Sequence, residues 1–336
     1  MTVRKVLARR DDALGARVVR TVPLVYAAGP DEALDRPAHV RAGSGLAWLG
    51  GELVCIQDDT HFVARIEPDT GRAHAVPLPA GEGGLRQFDD VRGNKRFKLD
   101  LEACTVVPDG QGGEMLLAFG SGSSSLRERI LRLADARAPH PYVELREAIT
   151  LYARLREAAA FSGSELNVEG AVWRGDRVLL LNRGNGAPVD GRLPIDATCE
   201  IGWAALLSYL DGPGGQSAPA PQSIIQYDLG TLDGWRLTFT DAAVAGDALV
   251  YTASAEASPN AVDDGPVAGS ALGIIGADGE ARWTELRGAD GGRFDGKVEG
   301  IARGPRPGTV FVIVDRDDPH RPSDLCEVAL SGDWPV

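Results

Sequence analysis

The 336-residue chain carries 48 acidic against 35 basic residues, a formal net charge of −13, and so lacks the basic surface that nucleic acid or an anionic membrane would demand. No apolar run reaches the ~18 residues of a membrane span, and the opening residues MTVRKVLARRDDALG have no apolar h-region, so a soluble chain without a signal peptide is expected. The length allows one large all-β or barrel domain, or two smaller ones.

In chain order, the first predicted elements are the strands VRKVL and ARVVRTVPLV. The segment "GSGLAWLGGELVCIQDD" (43–59) follows, a short strand, a Gly-rich turn and a second apolar strand ending in acids. The charged loop "FDDVRGNKRFK" (88–98) then leads into "LEACTVVPDGQGGEMLLAFGSGS" (101–123), which repeats the strand, turn, strand pattern. It recurs in "LNVEGAVWRGDRVLLLNRGNG" (166–186), "TDAAVAGDALVYTASAE" (240–256) and "VEGIARGPRPGTVFVIVDRDD" (298–318). A third strand usually follows, as in FVARI, ERILRL, SIIQYDL, SALGIIG and LCEVAL.

Aligning the five copies places Ser44, Glu102, Glu169, Asp241 and Glu299 at equivalent strand starts, separated by 58, 67, 72 and 58 residues. Repeated antiparallel units with closely spaced turns predict an all-β fold, a single β-propeller spanning 1–336. Two insertions lengthen the repeat, at 141–163 and 187–222, each with a helix-like segment. Five blades are expected. One N-terminal strand is read as completing the last blade and closing the ring, with the remainder left for a degenerate sixth blade. A pair of β-sandwiches is the rival architecture, but no linker divides the chain into halves. Cys55, Cys104, Cys199 and Cys326 are far apart with no CxxC, which fits reduced core residues of a cytoplasmic protein.

In a propeller the start of strand one and the end of strand two meet at one mouth of the channel. That convergence would gather Glu102, Glu169, Asp241 and Glu299 with Asp58, Asp59, Ser123, Asn182, Arg183, Glu256, Asp315, Arg316 and Asp317. Like charges ~4 Å apart repel by about 4 kcal/mol at an effective dielectric of 20, so such acids must be protonated, paired with Arg or Lys, or bound to a cation. Five histidines without HExxH and no paired thiols argue against zinc. Carboxylates suit Ca²⁺ first and Mg²⁺ second. The predicted metal ligands are Glu102, Glu169, Asp241 and Glu299. A network of Lys98, Arg183, Lys297 and Arg316 with these acids is the competing expectation.

"GSGSSSLRER" (120–129) follows a second strand, so Ser123, Arg127 and Arg129 are candidates for holding an anionic group. In the loop before Glu102, Asp89, Asp90, Asn94 and Lys95 are candidate ligand contacts. "GGRFDGKVE" has a phosphate-loop frame but puts Val298 where Ser or Thr is required and a strand where a helix is required. No GxSxG is present.

The starts DLEACTVV, NVEGAVW and KVEGIA resemble the EG(L/I)A blade starts of phytase-like and esterase-like propellers, and those of the SdiA-regulated and gluconolactonase or strictosidine-synthase groups. The longer "RQFDDVRGNKRFKLDLEAC…LLAFGSGSSSLRERI" is similar to a bacterial propeller family without an assigned activity. The gluconolactonase resemblance implies a divalent cation at the central mouth, held by Glu, Asn and Asp. Glu102, Glu169 and Glu299 match its strand-start glutamate, while Ser44 and Asp241 depart from it, and no Asn–Asp ligand pair is matched.

The expected function is a metal-assisted lactonase, esterase or phosphoesterase acting on a small molecule. Glu102, Glu169 and Glu299 would be ligands or base, and Lys98, Ser123, Arg127, Arg129, Asn182 and Arg183 would contact substrate. The alternative is a non-catalytic ligand-binding or scaffold propeller.

Overall fold

The computed structural model describes residues 3–213, 217–256 and 267–336. Four N-terminal strands, β1 (Arg4–Leu7), β2 (Arg9–Arg10), β3 (Gly15–Pro23) and β4 (Val25–Tyr26), precede five repeated units. Unit one is β5 (Gly43–Leu49), β6 (Glu52–Gln57), β7 (Phe62–Glu67) and β8 (Arg72–Pro77). Unit two is β9 (Leu101–Pro108), β10 (Glu114–Gly120), β11 (Arg129–Ala134) and β12 (Tyr142–Glu147), followed by α1 (Ile149–Glu157) and α2 (Ala159–Ser162).

Unit three is β13 (Val168–Arg174), β14 (Arg177–Asn182), β15 (Asp196–Gly202) and β16 (Gln222–Asp228), with α3 (Trp203–Asp211) inside the second expected insertion. After the short β17 (Thr231–Leu232), unit four is β18 (Trp235–Ala245), β19 (Ala248–Glu256), β20 (Val267–Ile275) and β21 (Ala281–Arg287). Unit five has only three strands in sequence, β22 (Lys297–Arg303), β23 (Thr309–Asp315) and β24 (Asp324–Ser331).

Its fourth strand comes from the other end of the chain. β3 pairs antiparallel with β24 from Pro23 opposite Asp324 to Gly15 opposite Ser331. The remaining N-terminal strands dock parallel on outer edges: β1 on β16, β2 on β21 and β4 on β8. They form no sheet of their own among the described residues, so the sequence VRKVL belongs to the third unit rather than to a sixth one.

The apolar runs VLLL, VFVIV and LVCI are buried on both faces because each unit packs against two others. Five hydrophobic clusters lie one between each pair of consecutive units, and the last joins Leu46, Leu53 and Cys55 of unit one to Phe311, Ile313 and Leu325 of unit five. First strands touch in the order β5, β9, β13, β18, β22 and back to β5. At the tip between β5 and β6, Gly50 and Gly51 have φ of 56° and 78°, the paired left-handed values that a tight two-residue hairpin demands. All four cysteines are buried free thiols. No described helix is long and apolar enough to cross a membrane.

Candidate functional site

Every first strand is bulged near its start, and in four of the five the extra residue is the one the repeat pointed to. Gly43 and Gly45 pair with Gln57 and Ile56, leaving Ser44 unpaired. Leu101 and Ala103 pair with Gly120 and Phe119, leaving Glu102. Val168 and Gly170 skip Glu169, and Val298 and Gly300 skip Glu299. In unit four Phe239 and Asp241 pair with Ala253 and Thr252, so the bulged residue is Thr240. A bulge bends its strand and re-aims one side chain. Of the five bulged residues, Ser44, Glu102, Glu169 and Glu299 line a common cavity of about 370 Å³.

Asp241 is therefore one residue out of phase with the expectation, and one residue along a strand reverses the side chain. It is buried, with Oδ1 accepting from the Ala242 amide at 2.7 Å and Oδ2 accepting from the Ile301 amide of β22 at 3.0 Å. It ties unit four to unit five and does not line the cavity. Burial holds its carboxyl well above the usual carboxylate range despite those two amides. Its structural equivalents, Gly45, Ala103, Gly170 and Gly300, are small because the first strands nearly touch there. A Cβ on Gly300 would lie 2.8 Å from Gly45 Cα, and one on Gly170 would lie 3.3 Å from Asp241 Cα.

Two further expected residues turn away. Asn182 is buried, accepting from the Asn167 amide at 2.8 Å and donating to the Ile195 carbonyl at 2.8 Å. Arg129 pairs with Glu147 at 2.9 Å on the side of unit two. Asp59 lies outside this cavity, in a buried ion pair of Arg41 that also includes Asp89, and Arg316 pairs with Asp324. In the loop before Glu102, Asp90 and Lys95 reach the cavity, whereas Asn94 shapes the loop by accepting from the Asp89 amide at 2.9 Å.

The cavity lining holds eight carboxylates, of Asp58, Asp90, Asp100, Glu102, Glu169, Glu299, Asp315 and Asp317, against six basic side chains, of Lys95, Arg96, Lys98, Arg127, Arg183 and Lys297. The ionic pairing is incomplete. Lys98 Nζ sits 2.8 Å from Asp58 Oδ2 and 2.6 Å from Asp100 Oδ1, and Arg127 Nη1 is 3.0 Å from Asp100 Oδ2 and 2.7 Å from Ser123 Oγ. Burial works against charge on Asp100, but Lys98 and Arg127 outweigh it and hold its carboxyl below the usual range.

Carboxylate oxygens of Asp58, Asp100 and Glu102 all lie within 4.8 Å of one another. Glu102 is the uncompensated member, pushed well above the usual carboxylate range by burial and then by Asp58, Glu169 and Asp100. Asp58 Oδ1 is buried without a hydrogen-bond partner. Asp100 was not anticipated, although the alternation in Lys98-Leu99-Asp100-Leu101-Glu102, with both leucines buried, was an available signal.

Across the cavity, Glu169 Oε1 accepts from Asn167 Nδ2 at 2.7 Å and lies 3.6 Å from Arg183 Nη1. Burial pushes Glu169 up to about 8, with Arg183 opposing and Glu299 adding to the shift. Arg183 itself pairs with Glu256 and donates to Thr238 Oγ1 at 3.1 Å. Glu299 Oε1 meets Lys297 Nζ at 2.8 Å, yet burial still raises its carboxyl. Asp315 is held well above the usual range by burial and by Asp317.

A family model for a family of unknown function, DUF6929, matches residues 39–330. The chain belongs to that family. It takes in all five first strands and the whole cavity lining, while β1 to β4 lie before it. No curated protein matches the sequence. Among solved structures, the chain is similar to the glutaminyl cyclase of Myxococcus xanthus, 11% identical with a TM-score of 0.45, covering 99% of this chain and 100% of that one. A suspected glycoside hydrolase from Parabacteroides distasonis is 9% identical with a TM-score of 0.44, covering 86% and 88%. A variant of the Synechocystis apocarotenoid oxygenase is 13% identical with a TM-score of 0.32, covering 87% of this chain and 59% of that one. None of the three lends this DUF6929 chain a function. The likeness to gluconolactonase, phytase and related groups is carried by the short strand-start element alone.

Proposed function

We propose that this chain is a five-bladed β-propeller hydrolase that cleaves a small polar ester, lactone or phosphoester at the mouth of its channel. Each unit supplies one blade, and β3 closes the ring by completing the fifth, which the cluster between units five and one supports. The observation that carries the enzymatic reading is Glu102: it makes no hydrogen bond or ion pair among the described residues, yet it lies within 4.8 Å of two more carboxylates in the cavity wall. A network built only to hold strands together would pair its charges.

The donor set of Asp58, Asp100 and Glu102 is all oxygen and fits a hard divalent cation, Ca²⁺ before Mg²⁺. Lys98 and Arg127 already neutralise two of the three charges, so the fit rests on Glu102 and on the free Asp58 Oδ1. A cation there would polarise the carbonyl or phosphoryl oxygen of the substrate. With water as the nucleophile, Glu169, held by Asn167 and kept neutral by burial, would give its proton to the leaving oxygen as the bond to carbon or phosphorus breaks, and the proton shed by the attacking water would restore it. Arg96 and Lys95 stand at the cavity wall where an anionic group of the substrate would be met.

Calorimetric titration with CaCl₂ and turnover of lactone, aryl ester and phosphoester panels test this reading. Glu102→Gln should abolish Ca²⁺ binding, and Glu169→Gln should keep it while lowering turnover about 100-fold. No Ca²⁺ uptake, together with no turnover sensitive to either change, would leave the second reading. That reading is a ligand-binding propeller with a structural Glu and Arg network, supported by the close contacts of Lys98 with Asp58 and Asp100.

A further inference from the structure

Of the six basic side chains in the cavity lining, five are committed to carboxylates of the protein. Lys95 Nζ lies 3.0 Å from Asp90 Oδ2, Lys98 stands between Asp58 and Asp100, and Arg127 pairs with Asp100. Arg183 pairs with Glu256, and Lys297 Nζ meets Glu299 Oε1 at 2.8 Å. Arg96 is the sixth. It lines the cavity, is exposed, and makes no ion pair or hydrogen bond among the described residues. Its guanidinium carbon lies 4.6 Å from the centroid of the Phe97 ring, a cation–π contact that leaves the N–H groups open.

The segment that presents Arg96 is fixed at both ends. Arg96 is the middle residue of the single 3-10 turn Lys95–Phe97, which closes the charged loop 88–98. Before the turn, Asp89 Oδ2 accepts from the buried Arg41 Nη2 at 3.0 Å, and Asn94 accepts from the Asp89 amide and donates to the Gln87 carbonyl, both at 2.9 Å. Within it, the Phe97 amide donates to the Asn94 carbonyl at 2.9 Å. After it, the buried Lys98 is tied to Asp58 at 2.8 Å. A ligand that takes the guanidinium therefore has no loop to order first, and only the side chain loses freedom. Arg96 and Asp100 are four residues apart in sequence, so their Cα atoms are separated by at most about 14 Å. One small molecule can meet both.

The chemistry of that ligand follows from shape and charge. A guanidinium is a planar fork that matches the two oxygens of a carboxylate or a phosphate, and a neutral amide or hydroxyl supplies no charge for it. A phosphate monoester carries close to two negative charges at neutral pH. With one uncommitted cation in a wall of eight carboxylates, the second of those charges would meet only repulsion. A carboxylate brings the single charge that Arg96 can match. We infer that Arg96 binds a carboxylate of the substrate and selects for it, so that the cavity takes carboxylate-bearing small molecules. The inference rests on the reading of this cavity as a substrate site and narrows the class of molecule that enters it.

Calorimetric titration of propionate, propionamide and methyl phosphate into the full-length protein provides the test, since the first two have the same shape and differ in charge. Propionate is expected to bind at least tenfold more tightly than propionamide and more tightly than methyl phosphate. Arg96→Gln is expected to erase the preference over propionamide, and Arg96→Lys, which keeps the charge and loses the fork, to reduce it. Equal binding of propionate and propionamide, absence of propionate binding, or an undiminished preference in folded Arg96→Gln would overturn the inference. Tighter binding of methyl phosphate would overturn the choice of a carboxylate. If neither variant folds, the comparison of the three probes on the wild-type protein decides alone. Turnover of the ester, lactone and phosphoester panels separates the two proposals: propionate preference without turnover sustains the carboxylate site in a ligand-binding propeller and removes the hydrolase, and turnover without the preference does the reverse.

Discussion

The two ends of the five first strands are built from the same elements and behave as different materials. At their starts, bulges turn Ser44, Glu102, Glu169 and Glu299 into a cavity with eight carboxylates and six basic groups in its wall. At their far ends the same strands line a cavity of about 330 Å³ with Leu46, Trp48, Cys104, Val106, Trp173 and Val244, and Arg303 is its one charged residue. Between the two lies the tight layer of Gly45, Ala103, Gly170, Asp241 and Gly300. The apolar end gains stability by burial. The charged end gives stability up, because acids held in their neutral form by desolvation are groups the unfolded chain would rather ionise.

The sharpest way to break this comparison is to move a defect from one end to the other. Phe311, 1% exposed and packed 6.5 Å from the Trp48 ring, anchors the cluster between units five and one. Phe311→Ala should cost about 3–5 kcal/mol in chemical denaturation and leave Ca²⁺ binding by the folded protein unchanged. That is the reverse of Glu169→Gln, which should lose turnover and keep stability.

Gly300→Ala probes the layer between the ends. Its Cβ would meet Gly45 Cα at 2.8 Å, and backbone cannot swing aside as a side chain can. A loss of about 1–3 kcal/mol is expected, read as a lower denaturation midpoint. A neutral outcome would mean that the first strands are free to spread.

The smallest effect is a dependence on pH. Glu169, ordinarily near 4.5, is pushed up to about 8 by burial, so between those values the folded chain keeps a proton that the unfolded chain has released. Its contribution to stability is full below pH 4.5 and is lost as the pH rises through 8. Melting temperatures at pH 5 and pH 8 should differ less in Glu169→Gln than in the wild type. An unchanged difference would show that Glu169 ionises freely and would remove it as the proton donor.

How much of this was legible in the sequence is best seen at particular positions. The strand and turn pattern located every first and second strand of the five units, but the expected insertions hold β12 and β15 as well as α1 and α3, and SIIQYDL, read as a third strand, is the fourth strand of unit three. Glu102, Glu169 and Glu299 were legible as the acid recurring at aligned strand starts, and the structure puts each at the extra residue of a bulge. Unit four failed by one position: Thr240 and Asp241 both suit a polar strand start, and only the pairing of Phe239 with Ala253 and Asp241 with Thr252 decides which is extra. Asn182 and Arg129 were placed at the site by their position at strand ends, yet their side chains found partners elsewhere.

The sequence alone determined what alternation and composition can carry: an all-β chain of repeated antiparallel units, excess acid at their strand starts, and thiols far apart. Those are local properties, because side-chain direction in a strand has period two and turns follow their own residues. The tertiary structure alone decided which carboxylates face each other, since that depends on residues from different units of the repeat, as with Asp58 and Glu102. It set Lys98 between Asp58 and Asp100, sent Asp241 to the amide of Ile301, and brought β3 from the chain start to complete the fifth unit. Charges that look alike along the chain become paired, buried or free only when packing fixes their neighbours and excludes water from some of them.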